Sequence, residues 1–310
     1  MRILLTGGSG FVGKQVLSDL LNAGHELVEL RRVARTEPLQ SQHQQAIIDL
    51  AVTQDFYPLM DGIEAVVHLA AQTPARGKRT HATSADLWRT NVEVTRRLGE
   101  AATRKGVRRF VFLSSINVHG HESVRPLKED DPFDPRSDYA RSKVAAERAL
   151  DVLEDLPFVI LRPPLVLGQG LKGNLGLVSK LARQGVPLPA VLPENRRSFV
   201  GLRDLSGFIS ECLIHPSAAR QHFLVADPQP ISTAELFRLF ARAGGHEARL
   251  VPLPRPVVAV PARLARQESS LGALWMNLEA AAPAKATQLL GWTPRHTLES
   301  EVQHAVQTAL

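Results

Sequence analysis

Tyr139 and Lys143 stand four residues apart in a stretch, Ser137 to Leu153, whose apolar spacing predicts a long helix. At that spacing the two side chains share a face. A phenol with its usual pKa of roughly 10 is a poor proton shuttle at neutral pH. An ammonium one turn away stabilises the phenolate and brings that value toward a working range. Ser115 follows a short apolar run, Phe110 to Ser114, and offers a hydroxyl to a reacting oxygen. These residue types suit proton transfer to or from an alcohol or carbonyl. His119 and His121 form a His-x-His, but no acid–histidine helix motif follows, so they read as loop histidines and no metal site is expected.

A second constellation lies at the start of the chain. Arg2 to Thr6 is a predicted strand, and Phe11 to Ala23 a predicted helix with an apolar stripe at Val12, Val16, Leu17, Leu20 and Leu21. Between them run Gly7, Gly8, Ser9 and Gly10, with Gly13 inside the helix. Any sharp strand-to-helix turn can use glycines. In this context Gly7 permits the turn, Gly10 lets backbone N–H groups approach a pyrophosphate, and Gly13 allows close helix–strand packing. The loop therefore predicts dinucleotide binding through Gly7, Ser9, Gly10, Phe11, Val12 and Gly13. The positive ring of an oxidised nicotinamide would further favour a Tyr139 phenolate.

The end of the second strand, Glu26 to Leu30, should choose between cofactors. It reads Glu29-Leu30-Arg31-Arg32, with Arg35 close behind. Alternation turns Glu29 to a face of the strand. Arginine at the tip suits a 2′-phosphate, so NADP(H) is favoured, with NAD(H) the alternative. Asp49 and Leu50, ending a third strand over Ala46 to Leu50, are placed to meet an adenine. Leu69, Ala70 and Ala71, after a fourth strand over Ala65 to Leu69, leave room for a cofactor across the sheet edge.

These elements imply an α/β fold. Strands alternate with helical segments as far as Phe158 to Arg162, which predicts a doubly wound parallel sheet of Rossmann type. Prolines and glycines then crowd Arg162 to Pro193 and Pro252 to Pro261, and the alternation lapses. We assign residues 1–165 to a dinucleotide-binding domain, with a return segment at about 199–226 that includes Phe223 to Ala226. Residues 166–198 and 227–310 form a smaller, irregular α/β substrate domain, with Trp275 and Trp292 in its core. The length of 310 residues suits two such units.

Composition excludes several classes. The net charge is +6, but the arginines are scattered and aromatics are only 5%. A nucleic-acid platform is not expected, while an anionic small substrate is. The single cysteine, Cys212, excludes an intramolecular disulfide and fits a reducing compartment. No apolar run reaches membrane-spanning length. MRILLTGG reads as a first strand rather than a signal peptide, so a cytoplasmic location is expected.

TGGSGFVG, VVHLAA, NVEVT, FVFLSSINVHG, YARSK and LRPPLVLG occur in this order along the chain. In order and spacing they resemble the extended short-chain dehydrogenase/reductases, the NAD(P)-dependent epimerase/dehydratase family. The resemblance covers nearly the whole chain and is most specific over the first 170 residues. It implies that Ser115, Tyr139 and Lys143 are catalytic, that Lys143 also holds the nicotinamide ribose, and that Asn91 supports the lysine or a water. It implies a nucleotide-sugar substrate, with Asn174 and Arg197 on its diphosphate and Lys172 nearby. Asn195 and Arg196 are weaker candidates. It also implies a homodimer, formed by pairing the Asn91 and Tyr139 helices.

Two departures matter. Arg31 replaces the acidic residue usual at the end of the second strand, and Leu165 stands where the family often has Asn. Together with SSINVHG and the later KGN and NRRS segments, Leu165 resembles a bacterial sugar-nucleotide branch active in surface-polysaccharide assembly. The expected reaction is NADPH-dependent C4 reduction of a UDP-4-keto-6-deoxy-N-acetylhexosamine. The alternative is a UDP-hexose 4-epimerase, acting on UDP-Glc or UDP-GlcNAc, that retains NAD. A carbonyl reductase for a small non-nucleotide substrate and a non-catalytic NAD(P)-binding sensor are further readings. The intact Ser115, Tyr139 and Lys143 argue against the sensor.

Overall fold

A computed structural model of the protein describes the chain except residues 36–38, 74–82, 172, 193, 255–273 and 308–310, and the side chains of 174, 191 and 307. Seven parallel strands form the central sheet: β1 (Arg2–Thr6), β2 (Glu26–Arg31), β3 (His43–Ile47), β4 (Ala65–His68), β5 (Arg109–Leu113), β6 (Phe158–Arg162) and β10 (Gln221–Leu224). Their spatial order is β10-β6-β5-β4-β1-β2-β3. The order reverses between β1 and β4, and in open α/β sheets ligands bind beyond the carboxyl ends of the strands at such a switch point.

Strand alternation divides the core. Ile3, Leu5, Ala65, Val67, Val111, Val159 and Leu161 face one side. There they meet α1 (Phe11–Asn22) and α6 (Leu202–Ile214). Leu4, Val66, Phe110, Phe112, Phe158 and Ile160 face the other side. There they meet α3 (Val94–Arg104) and α4 (Asp138–Asp151). A sheet covered on both faces explains why these strands read as nearly unbroken apolar runs.

A third core belongs to the substrate side. It joins Leu167, Leu175, Leu188, Phe199, Phe237, Phe240, Leu274 and Val302. The elements there are β7 (Leu165–Leu167), α5 (Gly173–Arg183), β8 (Leu188–Leu192), β9 (Phe199–Gly201), α7 (Thr233–Ala243) and β11 (Leu250–Pro254). Among the described residues two further helices follow, α8 (Ala284–Leu290) and α9 (Leu298–Gln307). β7 pairs with β9 and β8 with β11, both parallel.

Three boundaries differ from the sequence reading. β3 spans His43–Ile47 rather than Ala46 to Leu50, because β2 pairs with it from Leu27↔His43 to Arg31↔Ile47. The apolar residues after Ala46 belong partly to the following turn. The helix expected to open at Asn91 begins with α2 (Ser84–Trp88), where the Thr83 hydroxyl and the Asp86 carboxylate close a capping box. One turn of π-helix, Arg89–Glu93, then joins α2 to α3. Finally, Trp292, expected in the substrate-domain core, packs 4.5 Å from Phe208 in the first sheet-face core, together with Ala286 and Leu290. The stretch 286–292 thus rests on the main sheet.

The first turn of α1 sits hard against the loop before it. A Cβ on Gly13 would lie 2.0 Å from the Gly7 carbonyl oxygen. Gly13→Ala is expected to cost about 1–3 kcal/mol by overpacking, seen as a lower urea midpoint with unchanged slope.

Candidate active site

Gly7 has φ +77°, and a Cβ there would lie 2.6 Å from Ala70 N and 2.7 Å from the Leu69 carbonyl carbon. Only glycine allows the loop to lie directly on the segment leaving β4. Gly10 N–H donates to Gly7 O at 2.9 Å, and Gly10 is the N-cap of α1 with no side chain over the helix end. Ser9 and Gly10 are exposed, and Phe11 and Val12 open the helix beside them. A bare, twelve-residue helix N-terminus beneath a glycine cradle fits a dinucleotide pyrophosphate.

A hydrogen-bonded chain starts under this loop. Ala70 N–H donates to Thr6 Oγ1 at 3.2 Å, and Thr6 Oγ1 meets His68 Nδ1 at 2.7 Å. His68 Nε2 meets Thr95 Oγ1 at 2.9 Å, and Thr95 Oγ1 donates to Asn91 O at 2.7 Å. The Thr95 proton is spent on Asn91, so His68 must donate from Nε2 and accept at Nδ1. His68 is held neutral: burial, with Lys143 adding to it, lowers its pKa to about 3. Sequence reasoning misses His68 and Thr6, whose signal is a polar residue at each of two buried strand ends.

Asn91 is buried in the π-helical turn. Its Oδ1 accepts from Gln72 N at 2.7 Å, and its Nδ2 donates to Gln72 O and Ser142 Oγ, each at 2.9 Å. It clamps the segment after β4 to α4. Its amide is thereby spent on Gln72 and Ser142 rather than on Lys143.

Ser137 caps α4, its Oγ accepting from Ala140 N at 3.1 Å. Lys143 is buried, and its Nζ donates to Leu113 O at 2.7 Å. Leu113 ends β5, two residues before Ser115, so this bond brings the helix to the Ser115 end of the strand. Ser115 Oγ accepts from Asn117 N at 3.2 Å in the short helical turn that follows. Burial lowers Lys143 to about 7, opposed by the nearby Glu147 carboxylate.

Lys143 Nζ lies 6.0 Å from the Tyr139 ring centroid and bonds to Leu113 instead. Burial pushes Tyr139 up to about 12 rather than down.

The tip of β2 is also rearranged. The fully buried Glu29 carboxylate lies under Gly8, where an added Cβ would come 2.4 Å from Oε1. Arg31 Nη1 donates to both Glu29 oxygens at 3.2 Å, Arg31 Nε to Val33 O at 3.0 Å, and His43 Nε2 meets Glu29 Oε2 at 3.1 Å. Arg31 therefore turns inward onto Glu29, while Arg32 is exposed. Asp49 is exposed beyond β3 and binds its own turn through Ala51 N at 3.0 Å. Leu50 packs on the second core, and Ala71 is partly buried.

On the substrate side, Arg197 is buried, and burial lowers it to about 10. Its backbone pairs with Ile231, and its Nη1 reaches Met276 O at 3.4 Å. Asn195 is architectural: its amide group binds Leu274 O, Met276 O and Thr233 N. Arg196 pairs with Glu279 at 3.2 Å. Asn174 stands in the first turn of α5, and Lys172 lies outside the described residues. His119 accepts from Arg162 at 3.0 Å and binds Pro132 O. Among the described residues no group of three His, Cys, Asp or Glu side chains comes together as a metal site, and no helix is long and apolar enough to cross a membrane.

The family model described as the NAD dependent epimerase/dehydratase family matches residues 3–226. The chain belongs to this family. A UDP-glucose 4-epimerase of Vibrio cholerae is 31% identical over 318 residues, covering 99% of this chain and 95% of that protein. The Bordetella bronchiseptica enzyme WbmG, solved in complex with NAD, shares the fold at 23% identity with a TM-score of 0.80, covering 99% of this chain and 93% of that one. The Thermus thermophilus UDP-glucose 4-epimerase, also solved with NAD, does so at 23% identity and a TM-score of 0.77, covering 99% and 98%. The parallel sheet and glycine loop are those of an NAD(P)-dependent family.

Were Lys143 to hold the nicotinamide ribose, cofactor binding would be proton-linked. Ribose hydroxyls that accept from the ammonium favour its charged form, so binding takes up a proton where the free site is neutral. NADH affinity should therefore weaken as pH rises above about 7, by up to about tenfold per unit. Calorimetry in two buffers of different ionisation enthalpy should register the proton, and Lys143→Met should abolish both effects.

Proposed function

We propose that the protein interconverts a hydroxyl and a ketone at C4 of a UDP-hexose, as a 4-epimerase. The observation that carries the redox reading is the Lys143–Leu113 bond, which draws the Tyr139 face of α4 to the Ser115 end of β5. The full-length likeness to a UDP-glucose 4-epimerase favours epimerisation.

When bound, the nicotinamide supplies a reversible hydride acceptor. Tyr139 exchanges the proton of the C4 oxygen, Ser115 hydrogen-bonds that oxygen, and Lys143 holds the ribose. The buried Arg197 is suited to a diphosphate, since a guanidinium binds phosphoryl oxygens bidentately.

The second reading, C4 reduction of a UDP-4-keto sugar by NADPH, is favoured by one observation. Arginines rather than an acid stand at the β2 tip. For a 2′-phosphate to be bound there, Arg31 would use Nη2 or exchange part of its contact with Glu29, and Arg32 is exposed beside it.

Incubation with UDP-Gal and no added cofactor separates the readings. The expected outcome is UDP-Glc at catalytic yield, with Tyr139→Phe lowering the rate by about 10²–10⁴-fold. No inversion, together with NADPH-dependent reduction of a UDP-4-keto-6-deoxyhexosamine, would establish the reductase instead. Arg31→Ala should raise the Kd for NADPH about tenfold or more while leaving that for NADH within about twofold, the loss of one phosphate contact being worth about 1–3 kcal/mol. Equal effects on both would remove Arg31 from cofactor choice.

A further inference from the structure

A fully buried carboxylate stands one turn from Lys143. Glu147 lies four residues beyond it on α4 and is closed off from solvent. Ser114 Oγ donates to Glu147 Oε1. Arg162, at the end of β6, donates from Nε to Oε1 at 3.1 Å and from Nη2 to Oε2 at 2.6 Å. Arg162 Nη1 continues to Glu129 O at 2.7 Å and to His119 Nε2 at 3.0 Å. His119 donates from Nδ1 to Pro132 O at 3.2 Å, so it is neutral and of fixed tautomer.

Two consecutive residues at the end of β5 thus grip two consecutive turns of α4. Leu113 takes Lys143, Ser114 takes Glu147, and Ser115 is next along the chain. We propose that Glu147 is a positioning residue for the redox site: its carboxylate fixes the depth and rotation of α4 against the ends of β5 and β6, and its charge keeps the neighbouring Lys143 an ammonium. The proposal rests on the reading of Lys143 as a cofactor ligand.

A buried ion pair is weak evidence for stability, because well-packed apolar residues often replace one without loss. The geometry of this pair is better accounted for by what it aligns. Among the described residues the ionisable groups around Lys143 are few. Tyr139 and Glu147 share its helix, His68 faces it from β4, and Arg162 and His119 stand behind Glu147. Tyr139 and His68 are uncharged at neutral pH, and burial lowers His119 as well. Among them, Glu147 is the negative charge that opposes the desolvation of Lys143.

The test is NADH affinity by fluorescence from pH 6 to 9, which needs no sugar substrate. Glu147→Gln keeps the shape and removes the charge. Its affinity should begin to weaken about one pH unit lower than in the wild type, giving about tenfold weaker binding at pH 7.5 and near-normal binding at pH 6. Glu147→Asp should restore the wild-type onset. An unchanged onset in Glu147→Gln would overturn the proposal. A wild-type pH dependence that persists in Lys143→Met would instead overturn the reading of Lys143 beneath it. If Glu147→Gln does not fold, the double variant Glu147→Gln/Arg162→Gln leaves neither member of this ion pair alone; its onset should also fall, by less than in the single variant because an opposing cation goes with the carboxylate, and an unchanged or raised onset would overturn the proposal.

Discussion

An ammonium without water around it is the constraint on which this site is built. Lys143 is buried between α4 and the end of β5, and it donates to one carbonyl, Leu113 O. Its pKa falls from 10.5 to about 7. Between those values the unfolded chain binds more protons at this position than the folded one. The lysine therefore lowers stability by its full amount at and below about pH 7, and that loss shrinks as the pH rises toward 10.5. Its environment follows from that cost: a carboxylate one turn away, an aromatic ring at Phe112, and a histidine on the next strand that burial keeps uncharged at neutral pH.

The glycine loop and the lysine are joined through the sheet. Thr6 precedes the loop and binds His68, His68 binds Thr95, and Thr95 binds the backbone of Asn91. Asn91 then fastens Gln72 and Ser142, and Ser142 donates to Tyr139 O at 2.7 Å. Each hydroxyl in the chain donates once and accepts once. The two halves of the site, one built on α1 and one on α4, are therefore held in register by one continuous run of hydrogen bonds. Leaving one of its polar groups unpaired in the interior costs about 1–3 kcal/mol.

Much of this was legible in the sequence. The parallel sheet, the two helices carrying the loop and the Tyr–Lys pair, and the return strand near Phe223 all follow from hydrophobic period and glycine placement. Local pattern failed where pairing or distant charge decides. β3 is an edge strand whose register is set by β2, so its Gln44 and Gln45 could not announce it. The helix start at Ser84 was written in Thr83 and Asp86 but hidden by the family's Asn91. Spacing correctly placed Lys143 on the Tyr139 face, yet could not say that its ammonium would turn to Leu113. The inward fold of Arg31 depends on Glu29 and His43, on two strands, and no single segment carries it.

The π-helical turn at Arg89–Glu93 puts one more residue into a helix than an α-turn would hold. Each residue of an α-helix advances the side-chain direction by about 100°. The extra residue therefore offsets α2 from α3 by more than a quarter turn. Trp88 is left half exposed on one side of the turn, and Asn91 is buried on the other. Ironing this turn into regular α-helix by deleting one residue would swing α2, with its buried Leu87, around the axis and pull Asn91 off Gln72 and Ser142, so the extra residue is what lets one helix both pack outward on α4 and reach inward to the segment after β4.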